Sequence, residues 1–195
     1  MKNTEFSDAL VKCNGLDRMG FEQWLFLPGM LFNAVEMWWG NGGDRNRPHE
    51  GLDLCFFRDS WGKVQSIGPE TQIPVMYQGE IVAIHSDFLG QSMYVHHGNL
   101  GGEGAYFYTI YGHIRPVKHV HLGKVLDEGD VFATIADTAN EQVRAPAHLH
   151  ISMAWLALSV APEDLDWSVV TDPELAVLID PLEVIACSYT VIKST

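Results

Sequence analysis

Residues 147–155 read Ala-His-Leu-His-Ile-Ser-Met-Ala-Trp, and this stretch is the most informative in the chain. The run from Ile151 onward predicts a buried strand. Residues two apart on a strand point to the same face of a sheet. His148 and His150 would therefore place two imidazoles in one site.

The His-x-His spacing is a weak signal when taken alone. Nine histidines in 195 residues give about 0.4 such pairs by chance. A second pair, His119 and His121, lies beside Lys118 and Lys124 in a segment that predicts an exposed turn. We interpret this second pair as surface histidines, so His148 and His150 need support from the rest of the chain.

Short runs rich in Val, Ile, Phe and Tyr surround the His-x-His stretch, separated by Gly, Pro and Asp turns. They span residues 52–57, 72–76, 79–85, 92–97, 105–111, 131–136 and 148–155. This spacing favours antiparallel strands over alternating βαβ units. The sequence therefore predicts an all-β fold, with an antiparallel sheet or sandwich core.

Three further segments complete the predicted organisation. Residues 7–16 predict a short helix, residues 120–136 a tight hairpin or a corner, and residues 157–178 an acidic, solvent-facing excursion that is partly helical. We expect one globular domain, in which residues 1–47 form an N-terminal extension packed on a core of residues 48–195. The extension could support the fold, or cover the groove with Asn41 and Asn46 near His49.

Composition excludes several classes of protein. The chain is 47% hydrophobic and 19% charged, as in ordinary folded proteins, and its net charge of -13 argues against nucleic acid or anionic membranes as partners. We find neither a signal peptide nor a membrane span. Cys13, Cys55 and Cys187 show no Cys-x-x-Cys pairing and are interpreted as buried thiols.

Two more motifs carry residues suited to metal chemistry. His49 and Asp53 in His-Glu-Gly-Leu-Asp are four apart, and Gly51 between them allows the backbone to tighten. His113 follows an aromatic strand at its glycine end. With His148 and His150 these make five polar residues, which fit a catalytic zinc with three protein ligands and an open position. A surface ion pair at His49 and Asp53, and a structural role for His113, remain alternatives.

The order of these motifs resembles that of lysostaphin/LytM-type zinc metalloendopeptidases. His-x-Gly-x-Asp, Thr-x-Tyr-Gly-His, a Gly-Asp-Val turn and His-Leu-His follow one another between residues 48 and 155. The resemblance implies an antiparallel β core with a groove over the metal. It also implies hydrolysis of peptide cross-links in bacterial peptidoglycan, in the cell envelope or outside the cell.

The resemblance also implies a role for each residue. His49, Asp53 and His150 correspond to the zinc ligands, and His113 and His148 to the catalytic pair that activates the metal-bound water. The chain departs from the pattern in residues 137–147, which border the groove in the family and here contain no glycine. The sequence leaves the bond cleaved and the oligomeric state open.

Two other functions fit the same residues. A non-catalytic peptidoglycan-binding, peptide-binding or activator module could use the same fold, although the presence of all five residues favours an enzyme. A different His/carboxylate metal enzyme, such as a small-molecule hydrolase or a cupin-like oxygenase, also uses His-x-His. An oxygenase would favour iron and would not require His113.

Overall fold

Most of the chain forms strands. The computed structural model describes residues 3–98, 104–138 and 145–192. The strands are β1 (Phe21–Phe26), β2 (Leu52–Leu54), β3 (Phe56–Asp59), β4 (Val64–Ser66), β5 (Gln72–Pro74), β6 (Gly79–Ser86), β7 (Gln91–His96), β8 (Ala105–Pro116), β9 (Val125–Leu126), β10 (Val131–Ile135), β11 (Leu149–Ala157), β12 (Ala176–Ile179) and β13 (Tyr189–Val191). The α-helices in these ranges are α1 (Phe6–Cys13) and α2 (Trp167–Val170).

Two sheets organise these strands. The larger has the order β12-β11-β8-β7-β6-β9, with β2 on β11 and with β10 between β5 and β8. The smaller has the order β13-β1-β3-β4. Its β1–β13 pairing is parallel, and the other strand pairings are antiparallel. The all-β, antiparallel fold class is confirmed, and each predicted strand run overlaps a strand of the structure.

The N-terminal extension is part of the sheet structure. Its strand β1 lies between β13 and β3, so residues from both predicted segments share the smaller sheet. Helix α1 buries Phe6 and Leu10 in the main core, beside Trp24 of β1 and Tyr111 of β8. The extension therefore contributes directly to the core that supports the larger sheet.

The central strands β8 and β11 are buried on both faces. One face joins the main core, and the other carries a second cluster around Tyr94, Tyr108 and Leu156. This second cluster includes Leu165 and Val170 from the acidic segment 157–178. The prediction of a solvent-facing segment is therefore only partly right, because Leu165 and Val170 cover the sheet whereas Glu163, Asp164 and Asp166 are exposed.

Residues 120–136 form a corner. Strand β9 pairs with β6, whereas β10 pairs with β5 and β8, so the two strands leave the turn in different directions. A backbone bond from Asp130 to the carbonyl of Asp127 closes the turn. Of the predicted alternatives, hairpin or corner, the structure has the corner.

Candidate functional site

A pocket of about 380 Å³ lies beside β8 and β11. All five residues singled out from the sequence line it: His49, Asp53, His113, His148 and His150. Each is at most 7% exposed. The fold therefore brings together residues up to 101 positions apart.

Strand pairing places Asp53 beside His150. Strand β2 pairs with β11, and these two residues are direct partners in the register. A side chain at Gly51 would meet the backbone of Ile151, and its Cβ would lie 2.7 Å from Ser152 Oγ. Glycine is needed here because the first motif passes directly against β11.

Three ligand atoms converge in this arrangement. Asp53 Oδ1 lies 2.8 Å from His150 Nδ1 and 3.2 Å from His49 Nε2, and the two nitrogens are 3.1 Å apart. These residues form a buried His/Asp/His group that could hold a metal ion. The spacing is close to the roughly 3.4 Å between ligand atoms around a tetrahedral zinc with bonds of about 2.1 Å.

In His49 and His150, the ring nitrogen that does not face Asp53 has a hydrogen-bond partner, which orients the imidazole. His49 Nδ1 lies 3.0 Å from the carbonyl of Leu31, so it donates there and leaves Nε2 with a lone pair. His150 Nε2 lies 2.8 Å from Ser152 Oγ. When this Nε2 donates to the hydroxyl, the Nδ1 lone pair faces Asp53. Metal-binding histidines commonly have such partners on the second nitrogen.

Charge and burial compete in the pKa values of this group. Burial raises the pKa of Asp53, but the charges of His49 and His148 and the hydrogen bonds of His150 and His49 hold it well below its ordinary value. Burial lowers the pKa of His49, but Asp53 outweighs it and the pKa is raised. Burial dominates at His150, whose pKa is lowered. Asp53 is therefore ionised, as a metal ligand must be.

His148 lies immediately before β11, next to the three-residue group. Its Nδ1 is 2.7 Å from the carbonyl of Pro146, and its Nε2 is 3.7 Å from Asp53 Oδ1. Burial lowers the pKa of His148 to about 4, with Asp53 opposing the shift. A neutral ring that donates through Nδ1 presents a free Nε2 lone pair beside the candidate metal position.

His113 lies opposite, on β8, with its ring 4.9 Å from that of His148. Its φ angle is 61°, in the left-handed region that non-glycine residues seldom occupy. The preceding residue, Gly112, pairs with His150, and a Cβ there would lie 3.3 Å from the Cβ of His150. The two strands thus approach closely where the catalytic candidates meet.

Asp87 is a pocket residue that the sequence interpretation missed. Its Oδ1 lies 3.2 Å from His113 Nδ1, and its Oδ2 accepts the backbone N–H of His113 at 2.9 Å. Burial raises the pKa of Asp87, but the hydrogen bond and charge of His113 lower it well below its ordinary value. In sequence, Ser-Asp-Phe-Leu-Gly reads only as a turn between β6 and β7.

The segment before the first motif supplies further pocket residues that were missed. Trp39 and Arg45 line the cavity, and the Arg45 guanidinium lies 4.5 Å from the centre of the Trp39 ring. Asn41 and Asn46, considered from the sequence as residues that cover the groove, are exposed and are not among the lining residues. From this segment, Trp39 and Arg45 line the pocket in the position that was expected for Asn41 and Asn46.

The remaining histidines are not among the residues that line the pocket. His119 and His121 are exposed. His97 is buried between Gln78 and Thr109, and His96 packs against Tyr106 and Tyr108. Of the loop 137–147, residues 139–144 lie outside the described residues.

Comparisons with solved structures find lysostaphin. Its solution structure is 16% identical with a TM-score of 0.41, covering 61% of this chain and 40% of that one. The catalytic domain of lysostaphin from Staphylococcus simulans is 16% identical to this chain, with a TM-score of 0.43. The match covers 72% of this chain and 81% of that domain.

A third structure is that of LytU, 18% identical with a TM-score of 0.44, covering 70% of this chain and 77% of LytU. No family model and no curated protein matches the chain. At these identities and TM-scores the likeness carries no argument about chemistry, which has to follow from the side chains of the site. Within the part of the chain that the structure describes, no helix is long and apolar enough to cross a membrane.

Proposed function

We propose that this chain is a zinc-dependent endopeptidase that hydrolyses peptide bonds, with the peptide cross-links of peptidoglycan as its substrate. The observation that carries the proposal is the convergence of His49, Asp53 and His150 on one point, with the free Nε2 of His148 next to it. Three ligands and a neighbouring base are the parts that a hydrolytic zinc site needs.

His49, Asp53 and His150 would hold the zinc through Nε2, Oδ1 and Nδ1. With both rings neutral and donating through their opposite nitrogens, these atoms direct lone pairs at one another about 3 Å apart, an arrangement that a bound cation would stabilise. Two neutral imidazoles and one carboxylate leave a net positive site. A bound zinc supplies a Lewis acid that polarises the scissile carbonyl and lowers the pKa of a water ligand toward neutrality.

His148 is assigned to proton transfer. Its Nδ1 donates to the Pro146 carbonyl, which fixes the ring and leaves Nε2 as the acceptor. Trp38 and Trp39 both contact this ring, at centroid distances of 5.1 and 6.4 Å. A ring held in this way can take a proton from the attacking water at Nε2 and return it to the leaving amine.

His113 is assigned to the developing oxyanion. Asp87 accepts from Nδ1, so the ring turns its Nε2 edge away from the carboxylate, and both His113 and Asp87 line the pocket. When Nε2 is protonated it is a donor for the negative oxygen of the tetrahedral intermediate. Asp87 fixes the orientation of this ring through Nδ1, as in other Asp–His pairs.

The peptide substrate is assigned on the family resemblance together with the pocket. The resemblance implies peptidoglycan cross-links and a location in the cell envelope or outside the cell. Trp39, Phe88 and Trp167 give the pocket apolar walls, while Arg45 and Glu50 supply one charge of each sign. Such a mixed lining suits a short peptide better than a polyanion.

Digestion of purified peptidoglycan, followed by mass analysis of the fragments, tests the proposal. We expect new termini at one type of cross-link with the zinc-loaded protein, and none with Asp53→Ala, which removes the central ligand. Metal analysis of the purified protein should find about one zinc per chain. Bound zinc with no cleaved bond would favour the non-catalytic module, and iron as the preferred metal would favour an oxygenase.

A further inference from the structure

The two carboxylate oxygens of Asp53 face different partners. Oδ1 points to the candidate metal position, 2.8 Å from His150 Nδ1 and 3.2 Å from His49 Nε2. Oδ2 accepts a hydrogen bond from the indole Nε1 of Trp38 at 2.6 Å, and Arg45 Nη2 lies 3.7 Å away. Both partners of Oδ2 come from the segment before the first motif.

We propose that Trp38 is a positioning residue for the metal, which acts by reserving Oδ2 of Asp53 so that only Oδ1 binds the ion. This inference rests on the proposed zinc site. A carboxylate that bound through both oxygens would occupy the position that a hydrolytic zinc leaves open for water. The indole N–H prevents this and fixes the direction of the Oδ1 lone pairs.

The geometry around Trp38 gives it little freedom to turn away. Its ring packs edge-on against His148, Phe56 and Trp39, at centroid distances of 5.1, 5.9 and 5.7 Å. The hydrogen bond from Nε1 to the carboxylate is charge-assisted and therefore strong. Trp38 thus contacts both a candidate ligand and the proposed base.

The backbone that carries Trp38 is a closed loop, residues 35–45, which we call the site hairpin. Backbone bonds from Met37 to Gly43 at 2.8 Å and from Arg45 to Val35 at 2.7 Å join its two sides. Arg45 also anchors the loop to the core by donating from Nη2 to the Gly29 carbonyl at 2.8 Å. The site hairpin is therefore built to hold Trp38 in place.

This position gives the N-terminal extension a role in the metal site itself. An inhibitory segment would occupy the open coordination position with its own side chains. The site hairpin instead binds Oδ2 of Asp53, whereas Oδ1 is the oxygen that contacts His49 and His150. We therefore assign Trp38 to metal retention and geometry.

The test compares zinc affinity in Trp38→Phe and in the control Trp61→Phe, measured by competition with a chromophoric chelator. Phenylalanine keeps an aromatic ring and removes only the N–H donor and part of the ring area. Partners of metal ligands usually contribute 10–100-fold in affinity, so we expect Trp38→Phe to weaken zinc binding at least about tenfold. Trp61→Phe, at a tryptophan that is exposed and outside the pocket, should stay within about twofold of the parent protein.

A second replacement separates the hydrogen bond from packing. Benzothienylalanine at position 38 has nearly the shape of tryptophan, with sulfur in place of N–H, so it keeps the packing of the ring and should show the same loss of zinc affinity as Trp38→Phe. Parent-like zinc affinity in this variant would overturn the proposal. Absence of zinc binding in the parent protein would instead overturn the proposed function, so the two failures are distinguishable.

Discussion

Asp87 binds His113 twice, with Oδ1 3.2 Å from the ring Nδ1 and Oδ2 2.9 Å from the backbone nitrogen. The carboxylate therefore fixes the ring tautomer and also holds a residue whose φ is 61°. It receives three further hydrogen bonds, from Leu89, Gly90 and Ser92. One side chain thus joins the β6–β7 turn to a proposed catalytic histidine.

Asp87→Asn should reduce peptide hydrolysis with little change in KM. The amide cannot accept from all the donors that surround Asp87, and an NH₂ group facing Nδ1 would reverse the His113 tautomer. A comparable change in an Asp–His pair lowers kcat by about 10⁴, so we expect a loss of at least about 10² here. Steady-state kinetics would measure it.

Asp59→Asn is the matched control for this substitution. Asp59 also accepts several hydrogen bonds in a hairpin turn, but it is not among the residues that line the pocket. We expect altered stability with parent-like kcat. Equal losses of kcat in both variants would show that Asp87 acts only through folding.

His113→Ala and His148→Ala should each abolish hydrolysis while zinc stays bound. Neither side chain belongs to the three-residue ligand group, and general acid–base groups contribute about 10²–10⁴ in rate. Metal content and kcat, measured on the same preparation, check this. His119→Ala, which alters the exposed His-x-His pair, should retain both. Loss of zinc in either pocket variant would reverse the assigned roles.

Gly51→Ala should destabilise the fold, because its methyl group would clash with the backbone of Ile151 and lie 2.7 Å from Ser152 Oγ. Overpacking of this kind costs about 1–3 kcal/mol in the free energy of unfolding. Gly68→Ala is the control, since a Cβ there meets nothing within 4 Å. Denaturant unfolding of both metal-free variants gives the comparison, and equal stability would contradict the expected clash.

The fold should lose stability in mild acid through His97. Burial lowers the pKa of this residue to about 4, although its bond to the Gln78 carbonyl opposes the shift. The unfolded chain takes up the proton near pH 6.5 and the folded chain only near pH 4. The contribution of the neutral His97 ring to the free energy of unfolding is therefore complete above about pH 6.5 and is lost as the pH falls toward 4.

The lowered pKa of His97 corresponds to a loss of about 3 kcal/mol in the free energy of unfolding between pH 6.5 and pH 4. His97→Gln keeps a donor and an acceptor for Gln78 and Thr109 but does not titrate. The free energy of unfolding should fall more steeply between pH 7 and pH 4.5 in the parent protein than in this variant. Parallel pH profiles would show that His97 does not contribute.

The sequence predicts the site better than it predicts the support around it. His148 and His150 could be placed on one face because strand periodicity is local, and motif order added His49, Asp53 and His113. The roles of these residues remain predictions. Their convergence in one pocket is what the structure adds.

Asp87 and Trp38 could not be found in this way, for physical reasons. Asp87 precedes Phe-Leu-Gly, where a turn favours aspartate, and it accepts hydrogen bonds from the backbone of Leu89 and Gly90. Because the turn alone explains this aspartate, the sequence does not indicate its hydrogen bond to His113. The Trp38 bond joins two segments by tertiary packing. The corner at residues 127–130 likewise depends on which strands β9 and β10 find as partners.

The hydrogen bond from Trp38 to Asp53 has a thermodynamic consequence. If it strengthens metal binding by some factor, the bound metal must favour the docked form of the site hairpin over the undocked form by the same factor, because coupling between two equilibria is reciprocal. A ligand that pressed the hairpin onto the core would slow the escape of the ion, and one that lifted it would release the ion. Metal retention in this protein would then be adjustable from a surface that never touches the metal.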